Sequence, residues 1–207
     1  MKQNQSKPKR GLEPLKVTCT TSDCDIDLHC FKATRKLRAE GKEGACRSCG
    51  AELVDWDRVH QHDAQDADYT FEAMRQEFIR HHFWHVDIDQ KAMTHALRKG
   101  RAALEEAVFK RILQSVGKAQ PFRDGQQTPF TGNIIFYAQH ATASCCRKCM
   151  EYWHGIPTGV ALTDEQIEYL SKLALLFIDE RLPNLPQDGQ RIPRQKIDDL
   201  EPEGGDQ

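Results

Sequence analysis

The sequence predicts a mainly α-helical protein: a core of three to four helices, a small zinc-ribbon-like β module, and a short strand leading into a second zinc site. Three observations carry this. Apolar residues recur at helical spacing in three stretches between residues 63 and 183. The eight cysteines fall in two clusters, Cys19 to Cys49 and Cys145 to Cys149. The β-like patterns are brief. The expected organisation is a basic tail over 1–14, a zinc-ribbon-like module over 15–62, a helical domain with a His/Cys metal site over 63–183, and an acidic tail over 184–207.

Composition narrows the function classes. With 207 residues, 29% charged, 39% hydrophobic and a net charge of -2, the chain can bury a core but exerts no global attraction on nucleic acid. The longest apolar run, Leu173 to Ile178, is too short to span a membrane, and the first residues lack an apolar signal core. The expected location is the cytoplasm, where thiols stay reduced and clustered cysteines serve as metal ligands rather than disulfides.

The N-terminal cluster follows a short alternating piece, Leu15 to Thr18. Cys46-Arg-Ser-Cys49-Gly50 is a metal knuckle: two thiolates two residues apart chelate one ion, and the glycine lets the backbone turn beneath the sulfurs. Cys19 and Cys24 are the expected partners, completing a four-cysteine zinc set. His29 or Cys30 could replace Cys24, and Cys30 equally reads as a small buried hydrophobe. An iron-sulfur cluster is the alternative cargo.

Phe71, Met74 and Phe78 recur at helical spacing through Trp84. One continuous wheel places His82 and His85 on the apolar stripe, His81 at its edge, and Glu77 and Arg80 pointing away. These histidines read as core residues, with a metal or catalytic role for His81, His82 or His85 as the sharper alternative. Asp89 caps a second helix with Met93, Leu97, Gly100, Leu104, Val108 and Arg111 along one seam. Its other face carries Lys91, His95, Arg98 and Lys99, with Arg101 beside them, a patch suited to phosphates. Residues 117–132, punctuated by Gly and Pro, form a loop with turns at Asp124-Gly125 and Pro129, anchored by Phe122 and Phe130. Thr163 to Gln166 has the capping-box pattern, opening a helix that ends at Pro183.

The stretch from His140 to His154 packs His140, Cys145, Cys146, Cys149 and His154 into fifteen residues. Ile134 to Gln139 reads as an apolar strand delivering His140, and Ser144 as the cap of a helix bearing Cys146 and Cys149. Five candidates compete for four tetrahedral positions. Cys146, Cys149 and His140 fit best, with Cys145 or His154 as the fourth. His154 lies about 140 degrees round a continuous helix from Cys149, so it joins only if the helix ends first.

Asp124-Gly-Gln-Gln-Thr-Pro129, Ala138 to Cys149, Trp153-His-Gly-Ile-Pro157 and Leu162-Thr163 resemble a bacterial family known as domain of unknown function 4186, over roughly residues 118–182. The resemblance implies that His140, Cys145, Cys146, Cys149 and His154 lie in a motif block. It assigns no activity, and it leaves the N-terminal cysteines as an added module.

Three functions follow as expectations. The first is a protein with two structural zinc ions that binds nucleic acid, through Lys91, Arg98, Lys99 and Arg101, or binds protein. The second is a metal-dependent hydrolase, nuclease-like, with an open zinc site at His140, Cys146 and Cys149 and a general acid or base from His154 or the 81–85 histidines. The third is a redox or metal-sensing thiol protein using Cys145 and Cys146.

Overall fold

The computed structural model describes residues 17–121, 126 and 128–193. The predicted tail over 1–14, the turn at Asp124-Gly125, Phe122 and most of the acidic C-terminal segment lie outside the described residues. The mainly helical class holds, with eight α-helices among the described residues. The N-terminal part carries α1 (Arg35–Ala39) and α2 (Trp56–Val59), the central part α3 (Ala67–Met74), α4 (Phe78–His85) and α5 (Gln90–Ser115). The C-terminal part carries α6 (Ile134–Ala141), α7 (Arg147–His154) and α8 (Asp164–Arg181). No helix among them is long and apolar enough to cross a membrane.

The core forms around α8, which packs against α3, α5 and α6, while α6 also packs against α4 and α5. Leu170, Leu173, Ala174 and Phe177 give α8 a buried stripe, and Ala92, Ala96, Leu104, Val108 and Ile112 give α5 another. Two of the expected caps, Asp89 and Thr163, start their helices where the sequence places them. The Asp89 carboxylate accepts from Lys91 N and Ala92 N, and Thr163 and Gln166 form the reciprocal box at α8.

The expected β module does not form as a ribbon. Between residues 17 and 62 the described backbone holds a 3-10 turn (Cys24–Ile26), α1, α2 and only isolated bridges, Asp23 with Leu28 and His29 with Glu77. The segment is too short on apolar residues to build a sheet face, and its backbone closes in local turns instead. Ile134–Ala141 is likewise a helix rather than a strand. Asn133 caps it by accepting from Ile135 N at 2.9 Å, and all of it except Phe136 is buried, so its continuous apolar run fits a helix sunk in the core.

The helix expected from Phe71 to Trp84 breaks at Arg75–Glu77, and the break resets the phase of its wheel. Glu77 and Arg80, expected on the outside, are fully buried, whereas His81 and His82 are half-buried and His85 exposed. The N-terminal segment plugs into the break. His29 N donates to Gln76 O at 2.7 Å and Phe78 N donates to His29 O at 2.9 Å.

A second break lies in α5 at Gly100, where φ is 69° and ψ 173°. It frees backbone groups that residues 186–190 satisfy: Arg101 N donates to Pro186 O at 2.9 Å, Ala102 N to Gln187 O at 3.2 Å, and Gln190 N to Leu97 O at 2.8 Å. The start of the expected tail therefore lies along α5. A Cβ at Gly100 would stand 2.4 Å from the Asp188 carbonyl carbon, in a left-handed conformation. Gly100→Ala is expected to cost about 1–3 kcal/mol, read as a lower urea midpoint at unchanged slope; an unchanged midpoint would show that the strap does not depend on the kink.

Candidate metal centres

Two ligand groups assemble. In the first, Cys24, His29, Cys46 and Cys49 bring four ligand atoms within 4.8 Å of one another, a group that can hold a metal ion. Cys24 Sγ and Cys46 Sγ are 3.7 Å apart, and Cys49 Sγ lies 3.5 Å from His29 Nδ1. Local turns build it. Asp23 and Leu28 exchange backbone hydrogen bonds of 2.7 and 3.0 Å around the 3-10 turn, with Asp27 left-handed at φ 58°. This closes the loop between Cys24 and His29. In the knuckle, Gly50 N donates to Cys46 O at 2.8 Å with φ 78°. Burial works against a Cys46 thiolate, but hydrogen bonds from Cys49, Cys30, Ser48 and His29 outweigh it and hold the thiol at about 6. Burial pushes Cys24, followed by its contacts with Cys49 and Cys46, up to about 12.

The second group is Cys145, Cys146 and Cys149, likewise within 4.8 Å. Cys146 is the N-cap residue of α7, which starts at Arg147 and not after Ser144, and Cys149 sits in the first turn. Cys19, from the other end of the chain, lines the same cleft as Cys146 and Cys149, although its sulfur is not one of the three that lie within 4.8 Å of one another. Thiol contacts from Cys145, Cys146 and Cys19 hold Cys149 far below the ordinary thiol range, with the Arg80 guanidinium adding to them against burial.

The allocation of ligands therefore differs from the expected one. Cys19 is absent from the first group and lies near the C-terminal cysteines, and His29 stands beside Cys24, Cys46 and Cys49 in its place. Cys30 is buried and donates its S–H to Cys19 O at 3.4 Å, outside both groups. Neither His140 nor His154 is brought to the sulfurs. His140 Nε2 donates to Thr128 O at 3.0 Å and the ring packs against both Phe83 and Phe130, at 4.5 and 4.7 Å between centroids. His154 is the last residue of α7, closed by Gly155 at φ 62°, so the helix does not end before it. Its Nε2 donates to Thr142 O at 3.1 Å. Burial pushes His140 down to about 4 and His154 down to about 3.

The other predicted site residues are scattered. His81 and His85 lie with tilted rings 4.0 Å apart on the outer side of α4, with no ligand group formed around them among the described residues. The basic face of α5 is partly consumed: Arg98 donates to Ile192 O at 2.9 Å and Pro193 O at 3.2 Å, and Arg101 pairs with Asp179.

Sequence reasoning missed the joint between the two groups. The Arg80 and Glu77 side chains, 1% and 0% exposed, pair at 3.1 Å. Arg80 also donates to His140 O and, at 3.6 Å, to Cys149 Sγ. Glu77 accepts from Tyr152 Oη at 2.6 Å and from Trp153 Nε1. Burial pushes the Glu77 carboxyl up against the pull of Arg80 and these donors. Burial also opposes the Arg80 charge, which Cys149, Glu77 and Cys145 hold in place. Glu77 and Arg80 at an i, i+3 spacing were the available signal, hidden by the assumption of one straight helix.

A cleft of about 820 Å³ opens beside the second group, between the N-terminal segment and α7. A family model described as Domain of unknown function (DUF4186) matches residues 68–179. It takes in α3 to most of α8, beginning well before the blocks from which the resemblance was read. It contains Cys145, Cys146 and Cys149 but none of the six N-terminal ligand candidates, Cys19, Cys24, His29, Cys30, Cys46 and Cys49. No solved structure matches the chain.

Two predictions follow from this geometry. Arg80→Met strands the Glu77 carboxylate without a counter-charge and should cost about 3–5 kcal/mol in urea unfolding; a cost below about 1 kcal/mol would mean the pair is not the joint described. His154 has a folded pKa below its unfolded value of about 6.5, so the unfolded chain binds the proton first. Its contribution to stability is full above that value and is lost as pH falls towards about 3. Histidine NMR should show a neutral His154 ring down to pH 5 or so, whereas a midpoint near 6.5 would contradict its burial.

Proposed function

The chain belongs to the family described as Domain of unknown function DUF4186, and on the two ligand groups it carries we propose that it is a two-zinc protein whose ions are structural and build a binding surface. The observation that carries this reading is the spacing of the first group. Ligands at zinc bond lengths of about 2.0–2.3 Å stand about 3.5–3.8 Å apart along a tetrahedron's edges. The separations of 3.7 and 3.5 Å match those edges. A multi-iron cluster would hold its cysteines farther apart than one ion does, which favours zinc.

The second ion takes Cys145, Cys146 and Cys149 with Cys19 as the fourth ligand. Both sets are then closed by four protein ligands, the mark of a structural site. The hydrolase reading loses its motivation, because neither His140 nor His154 belongs to a ligand group among the described residues. The redox reading weakens too, since the Cys145 sulfur belongs to the ligand group. Zinc-bound reduced thiolates suit a reducing compartment such as the cytoplasm.

The two ions divide the work. The first folds the N-terminal segment, which has too little apolar surface to fold alone. The second staples that segment to the family domain through Cys19. Metal analysis of the purified chain should return two zinc ions. Cys49→Ser and Cys149→Ser should each lose one, while Cys30→Ala and His140→Gln keep both. Loss of an ion in His140→Gln, or iron in place of zinc, would overturn this assignment.

A further inference from the structure

The cleft next to the second ligand group has a composition that the two-zinc reading leaves unused. Its walls hold Phe31, Trp56 and Tyr152 together with Lys32, Arg38 and Lys148. The three cations are exposed, and among the described residues none of them forms an ion pair. They continue into a local concentration of charge. Between residues 32 and 47, six cations (Lys32, Arg35, Lys36, Arg38, Lys42 and Arg47) face only Glu40 and Glu43. In a chain of net charge -2 this is the opposite of the average surface. Glu43 and Glu151 also reach the cleft, as do Arg80 and the sulfur residues Cys19, Cys146 and Cys149, so the exposed cations outnumber the carboxylates there without being alone.

Trp56 is a fixed platform in this setting. Its Nε1 donates to Gly44 O at 3.1 Å, and the indole lies where a Cβ on Gly44 would come within 2.2 Å of it. Trp153 lies behind it, with centroids 5.1 Å apart, and Phe31 meets it edge-on at 5.9 Å. The indole is half-buried, so part of it remains open to the cleft. A rigid aromatic plane beside unpaired cations is the arrangement that holds a polyanion with stackable faces.

We propose that this cleft binds single-stranded nucleic acid, with Lys32, Arg38 and Lys148 on the phosphates and Trp56 against a base. A duplex keeps its base faces stacked inside, so an aromatic platform selects unpaired strands. An acidic peptide would satisfy the cations but leave the indole unused. The proposal rests on the two-zinc reading, because the ions hold the N-terminal wall of the cleft in place. It moves nucleic-acid contact away from α5, where Arg98 and Arg101 already have partners.

The test is fluorescence anisotropy of a labelled single-stranded oligonucleotide of mixed sequence against the full zinc-loaded chain at low salt, with metal content measured on the same sample. The expected result is saturable binding that weakens steeply with salt. Lys32→Glu with Arg38→Glu should weaken it at least tenfold with both ions retained, and Lys148→Glu, at an exposed position of α7, should weaken it likewise with its ion count measured on the same sample. Trp56→Ala should weaken it by about five- to a hundredfold. Lys91→Glu should leave it unchanged. A flat titration with both ions bound overturns the proposal and leaves the two-zinc reading standing. Equal binding of a duplex or of an acidic peptide, or indifference to the Lys32, Arg38 and Lys148 changes, overturns it as well. Loss of binding with loss of the ions, reversed by zinc, supports it.

Discussion

The ion pair between Glu77 and Arg80 is buried where the N-terminal segment, α4, α6 and α7 meet, and each element contributes a group that the pair needs. A lone guanidinium or carboxylate in that position would be several kcal/mol too costly to bury. The cost is offset because every charged edge finds a partner: Glu77 takes Tyr152 and Trp153 from α7, and Arg80 takes the His140 carbonyl from α6 and the Cys149 sulfur. The backbone around Glu77 also receives His29. A shift in any one element leaves a buried charge exposed to the wrong surroundings, and this fixes their mutual placement.

The same pair explains how two sulfur-rich sites coexist close together. A divalent ion with three thiolates and one imidazole carries one excess negative charge, and an ion with four thiolates carries two. On the proposed two-zinc reading the second ion would lie beside Arg80, whose buried guanidinium supplies compensating charge. The first lies at the surface end of the module, where Cys49 is exposed and water can screen it. The distribution of ligand type and of counter-charge therefore agree. The N-terminal segment is attached by backbone pairing at the α3–α4 break, and the proposed second ion would add a ligand from Cys19.

The helical class, the caps at Asp89 and Thr163, the Cys46 to Cys49 knuckle and the Cys145 to Cys149 group were legible because each is a local pattern. What sequence reading missed is long-range or depends on phase. Cys19 lies five residues from Cys24, and spacing alone assigns it to the nearer partners; only the docked chain shows it beside Cys149. Glu77 and Arg80 were placed outside because one helical wheel was carried through residues 75–77, where the backbone turns. His140 and His154 are capable ligands in isolation, but the fold places neither in a ligand group, and each donates a ring N–H to a core carbonyl instead. Ile134 to Gln139 looked like a strand because a short apolar run has no period, and its burial on nearly all sides suits a helix equally well.

The central claim is that Cys19 leaves its neighbours in sequence to complete the second site. Cadmium NMR of the cadmium-loaded chain reports the ligand set of each ion separately. The account predicts two resonances, one in the four-sulfur range and one in the range for three sulfurs and a nitrogen. Cys19→Ser should shift the four-sulfur resonance alone. If Cys19→Ser moved the other resonance, or if no four-sulfur signal were present, Cys19 would belong with Cys24, Cys46 and Cys49 and the staple between the two parts of the chain would not exist.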